Sequence, residues 1–146
     1  MLKEIITDLF KPLWRIQSPD FFQLRLGLKE VYMGKFSRDK GARFELEVAG
    51  WFRDYGYNAT RSAQHCGKTG QASDVIGVTG LHIECKHCEK MHLYDWMSQA
   101  DRDTKAEGKD NIPVVIHKAN YRAPLVTMHF EDFIKIYREW EAGNGR

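Results

Sequence analysis

A chain of 146 residues with 42% hydrophobic and 12% aromatic content has the size of one ordinary domain and enough apolar mass for a core. Its formal charge of +2 is too small to announce a nucleic-acid or membrane partner by itself, and no stretch approaches the roughly 18 uninterrupted apolar residues of a membrane span. Lys3, Glu4 and Asp8 interrupt any leader-like run, and Cys66, Cys85 and Cys88 cannot all pair with one another, so a reducing cytoplasm is the expected compartment.

At the start, Leu2, Ile5, Ile6, Leu9, Phe10 and Leu13 fall at helical spacing, and Pro12, Ser18 and Pro19 then argue for a break. The apolar stretch from Phe21 to Tyr32 is less regular, and "MGKFSRDKG" at 33–41 reads as a polar connector. Residues 1–37 are thus expected to form an N-terminal helical extension ahead of a main domain at 38–141. Residues 142–146 are expected to fray. Residues 1–70 hold 12 Lys and Arg against 8 Asp and Glu, so the basic excess lies in this half. Within it Lys35, Arg38, Lys40 and Arg43 form a cluster suited to phosphates, although a solvated loop has the same composition.

In the main domain, Phe44, Val48, Trp51, Phe52 and Tyr55 share one helical stripe, and Gly56 stands where a left-handed stop is favoured. Residues 57–63 fit a strand and 64–72 a flexible loop, whose glycines with Arg61 and Lys68 would let amides and cations approach phosphates. "SDVIGVTGLHIECKH" at 73–87 reads as two strands joined by a turn at Thr79-Gly80. Helical spacing returns at 92–107 through Leu93, Trp96, Met97 and Ala100. Strands follow at 112–118 and 124–130, then a helix at 131–141 expected to pack Phe133, Ile134, Tyr137 and Trp140. The order αβββαββα predicts an α/β or α+β domain, a mixed central β-sheet flanked by helices.

Alternation along a strand puts Glu84 and Lys86 on one face and Ile83 and Cys85 on the other. Asp74 opens the neighbouring strand, and whether it meets Glu84 depends on a register that sequence leaves open. Two carboxylates held close repel, and a divalent cation between them relieves the repulsion; hard oxygen ligands select Mg2+ or Mn2+. Such an ion suits phosphodiester hydrolysis, with Lys86 orienting water or stabilising charge. A surface salt bridge across a hairpin would use the same residues.

Asp74, nine residues and then Glu84-Cys85-Lys86 resemble the signature of the PD-(D/E)XK nucleases, and "KGARFELEVAGWFRDYGY" at 40–57 is similar to the first helix of archaeal-type Holliday junction resolvases and their phage-borne relatives. The likeness runs from about Lys40 to Trp140. It implies a restriction-endonuclease-like fold and a magnesium-dependent endonuclease acting on branched DNA as a homodimer. It also implies a metal site of Glu45, Asp74 and Glu84 with Cys85 as a further contact, Lys86 as the signature lysine and Gln99 as the glutamine of the following helix. Glu47 competes with Glu45 for the helix position. The proline usual before the aspartate is replaced by Ser73. A rival reading is a non-enzymatic zinc-containing DNA-binding module built on Cys85-x-x-Cys88, with His82, His87, His92 and the upstream His65-Cys66 nearby.

Overall fold

The structure, a computed structural model, describes residues 19–63 and 72–144. The helix expected at 2–16, most of the loop at 64–72 with Lys68, and the last two residues lie outside the described residues. The chain divides into two compact units, Met1–Asp39 and Lys40–Arg146.

Helix α1 spans Pro19–Asp54 without interruption. The connector expected at 33–41 is therefore helical. Gly34 and Gly41 each cost roughly 1 kcal/mol relative to alanine, but no proline follows Pro19 before residue 113, and Lys35, Arg38 and Lys40 between the glycines are good helix formers. Pro19 occupies the first helical position, where its missing N–H costs nothing. Asp54 ends the helix and Gly56 follows at φ 90°, the left-handed stop that the sequence implies.

Beyond it come β1 (Thr60–Arg61), β2 (Val75–Ile76), β3 (Leu81–His87), α2 (Leu93–Glu107), β4 (Ile112–Lys118), β5 (Leu125–Thr127) and α3 (Phe130–Gly143). The strands form one sheet in the order β1-β2-β3-β4-β5. Only β3 and β4 run parallel, in register from Leu81 opposite Ile112 to His87 opposite Lys118, with α2 as the crossover between them. The other pairings are antiparallel, so the sheet is mixed as expected.

Each face of the sheet carries its own core. On one side Phe44, Val48 and Ala49 of α1 pack on Ala59, Val75, Val78, Ile83, Cys85, Val114 and Ile116. On the other, Trp96, Met97 and Ala100 of α2 pack on Val115. The alternation Val114, Val115, Ile116 along β4 thus feeds both layers, which is why a central strand reads as a continuous apolar run. Two readings of the apolar stripes are corrected. Tyr55, expected in the stripe of α1, is 85% exposed at the helix end. In α3 no residue is buried. Its Phe133, Tyr137 and Trp140 instead stack along the helix, with neighbouring ring centroids 6.0 and 5.6 Å apart. That helix also runs through residues 142 and 143, which the sequence assigns to a frayed tail.

The strand expected at 57–63 shortens to two residues, and so does β2. Gly77 explains both limits: its φ is 90°, and a Cβ there would sit 2.0 Å from the carbonyl oxygen of Asn58. The chain turns away at Gly77 while pressed against the segment leading into β1. Among the described residues no helix is long and apolar enough to cross a membrane.

Candidate active site

The register between β2 and β3 pairs Val75 with Ile83 and leaves Asp74 beside the Glu84-Cys85 step. The Asp74 N–H donates to the Ile83 carbonyl at 2.8 Å, and the Cys85 N–H donates to Asp74 Oδ2 at 2.8 Å. One backbone hydrogen bond thus fixes the main chain of Asp74 and the other its carboxylate. Ser73 braces the same corner: its Oγ accepts the Ile83 N–H at 2.8 Å and donates to the Val75 carbonyl at 2.7 Å, while its own N–H donates to Glu107 Oε1 at 3.1 Å. Proline, which has no N–H and no hydroxyl, could make none of these bonds. The serine therefore does by side-chain hydrogen bonding what ring stiffness would do.

Glu84 and Lys86 emerge on the α2 side of β3, as alternation requires. Lys86 Nζ lies 2.6 Å from Glu84 Oε1 and donates to Gln99 Oε1 at 3.1 Å; Gln99 Nε2 donates to Glu84 Oε1 at 3.0 Å. The three side chains close a hydrogen-bonded triangle, and Gln99, one turn beyond Trp96 on α2, is its bridge. Asp74 and Glu84 are each only 5% exposed.

Burial pushes the Asp74 carboxyl up to about 7, and the negative charges of Glu84 and then Glu45 push the same way; the Cys85 N–H and Lys86 oppose them. Glu45 of α1 is mostly buried and accepts from Arg61 Nε at 2.5 Å. Glu47 is turned elsewhere, paired with Lys118 at 2.6 Å at an exposed position. Geometry groups Glu45, not Glu47, with Asp74. Cys85 points into the core, where burial raises its thiol far above the ordinary range, with the carboxylates of Asp74, Glu45 and Glu84 adding to the effect.

Of the expected cationic residues, Lys35, Arg38 and Arg43 are exposed on α1. Lys40 lies 3.9 Å from Glu89, and Arg61 is committed to Glu45. Cys85 is a buried free thiol and Cys88 an exposed one. Among the described residues, the donors that converge as a metal would require are His82, Glu84 and Asp103, all within 4.8 Å of one another, and neither cysteine belongs to that group. His82 entered the sequence reading only as a zinc candidate, and Ser73, Asp103 and Glu107 did not enter as functional residues. The signal for the latter pair was present: Gln99, Asp103 and Glu107 recur every four residues on one face of α2.

A buried carboxylate cluster beside a lysine and a glutamine, on a mixed sheet between helices, matches known proteins at the level of the family. The model of the family described as "Phage putative PDDEXK endonuclease" matches residues 36–143. No curated protein matches the chain. Among solved structures, a Holliday junction resolvase from an archaeal hyperthermophile, Archaeoglobus fulgidus Hjc, is similar at 21% identity and a TM-score of 0.47, over 60% of this chain and 76% of that one. With the family model covering most of its length, the chain belongs to the phage PD-(D/E)XK endonucleases and is a nuclease with a restriction-endonuclease-like α/β fold.

Proposed function

We propose that the protein is a divalent-metal-dependent endodeoxyribonuclease that cuts branched DNA, with Mg2+ as its ion and Mn2+ as a substitute, and that it acts as a homodimer. The observation that carries the metal site is Asp74, whose carboxyl is driven up to about 7 by burial and by the negative charges of Glu84 and Glu45. A buried acid held in that state is relieved either by a proton or by a dication, and Glu45 on α1, Asp74 just before β2 and Glu84 on β3 are the carboxylates that would close on the second. Cys85 lies within the same site, its N–H on Asp74.

When bound, the cation supplies Lewis-acid polarisation of the phosphodiester and a more acidic water. The chain supplies the rest. Lys86 brings an ammonium held by Glu84 and Gln99 to where negative charge grows on the phosphoryl oxygens as the P–O bond breaks. Gln99 fixes the lysine and the glutamate to one another, so neither side chain must be immobilised during the reaction. Arg61 holds Glu45 in place and is available to a phosphate only if that pair opens. Lys35, Arg38, Lys40, Arg43 and Lys68 supply the electrostatic contact with the DNA backbone. The free thiols of Cys85 and Cys88 suit a reducing cytoplasm as the working compartment.

One assay tests the reading: a synthetic four-way junction beside linear duplex, flap and single-stranded DNA, with Mg2+ and with chelator. Paired symmetric nicks confined to the junction and abolished by chelator support it. Indiscriminate cutting of duplex would replace it with a general or repair-type nuclease of the same family. For the dimer, light scattering should give twice the 17.0 kDa of one chain.

A further inference from the structure

Glu84, assigned to the nuclease site, also belongs to a second set of donors. His82 is 0% exposed, yet among the described residues neither ring nitrogen has a hydrogen-bond partner. Leaving a buried polar atom unpaired is costly, so an unpaired imidazole near the start of β3 demands an explanation. The ring does not lie in an apolar setting. It shares its face of β3 with Glu84, and one of its nitrogens is within 4.8 Å of a carboxylate oxygen of both Glu84 and Asp103. Glu107, one helical turn beyond Asp103, places Oε1 3.4 Å from Nδ1, long for a hydrogen bond.

We infer that His82, Glu84 and Asp103 form a binding site for one transition-metal dication of the Zn2+ or Mn2+ class, distinct from the Mg2+ position on the Asp74 side of Glu84. An imidazole nitrogen with two carboxylates is a borderline donor set, which selects such ions over Mg2+, since magnesium takes oxygen ligands. The present spacing is open. Bonds of 2.0–2.1 Å in a tetrahedron bring ligand atoms to roughly 3.3 Å of one another, so the group, already within 4.8 Å, closes by at most about 1.5 Å. Asp103 stands on α2 at a partly exposed position and has the freedom to make that move, whereas His82 is fixed by its strand. An ion taken at Nε2 would leave the proton on Nδ1, facing Glu107. A carboxylate behind a metal-bound histidine is the usual means of fixing the ring and raising its basicity. Glu107 is itself tied to the Ser73 N–H, so this arrangement continues into the corner that carries Asp74.

The test needs no cleavage. Full-length protein stripped with chelator is titrated with Co2+ as a visible-absorption probe and with Zn2+ by calorimetry, and the 15N resonances of the histidine side chains are followed during Zn2+ addition. With excess Mg2+ present to occupy the nuclease site, the wild type should take up one further ion, with the His82 resonance shifted. Asp103→Asn should weaken Zn2+ more than about tenfold, and His82→Asn should abolish the Co2+ spectrum. Should His82→Asn fail to fold, Asp103→Asn and the resonance shift decide the matter. Asp74→Asn should leave Zn2+ affinity within about threefold while removing Mg2+-dependent cutting, which separates this site from the proposed nuclease site. Unchanged Zn2+ affinity in Asp103→Asn, or an unmoved His82 resonance at saturation, overturns the inference. So does equal loss in Asp74→Asn, which would assign the ion to the nuclease site.

Discussion

Asp74 is the residue whose titration shapes the molecule. An unfolded aspartate loses its proton near 3.9, whereas the folded one holds it up to about 7. Between those values the native state binds more protons than the unfolded state, so metal-free protein should lose stability as pH rises from about 4 to 7 and level off above. The slope approaches about 1.4 kcal/mol per pH unit at most. Thermal melts in chelator across that range should show the decline in wild type and a flat profile in Asp74→Asn. The helix glutamates offer a second comparison. Glu45→Gln should cut metal-dependent cleavage at least about 100-fold, Glu47→Gln less than about threefold, because only Glu45 lies close enough to act on Asp74. Ser73→Ala should leave the buried Ile83 N–H without its partner and cost roughly 1–3 kcal/mol, read as a lower denaturant midpoint. Strand alternation made the Glu84–Lys86 pair legible in sequence. It could not reveal Ser73, whose importance arises from a register, nor Asp103 and Glu107, which meet β3 only because α2 crosses back over the sheet.

At the level of elements, the long helix and the short strands carry the main differences between expectation and structure. Charge and glycine made 33–41 resemble a connector, but helix propensity counts the absence of a breaker more heavily than polarity. The strands before β3 are short because Gly77 turns the chain against Asn58, a contact between segments that no local pattern announces. That contact is testable. Gly77→Ala demands a strained positive φ and drives a methyl into a backbone oxygen, so the folded domain should lose at least about 2 kcal/mol and melt on the order of 10 °C lower. β3, α2 and β4 were legible with nearly their observed limits, since each is buried and carries a clean apolar pattern. The aromatic spacing of α3 was read as core, yet the rings find each other rather than the sheet.

For the molecule as a whole, both cores on the sheet are built from residues at Phe44 or beyond, inside the compact unit Lys40–Arg146. A chain beginning at Lys40 should therefore keep cooperative thermal unfolding by circular dichroism, within a few degrees of the full-length midpoint. The sheet itself carries one more implication. Its outer strands are two and three residues long, while the seven-residue strands β3 and β4 lie inside. A stranger approaching either margin meets too few open amides and carbonyls to be templated into a growing fibre. β3, which bears Glu84 and Lys86, thus lies away from both margins, laddered along its whole length to β4 and capped on its other side by the short β2.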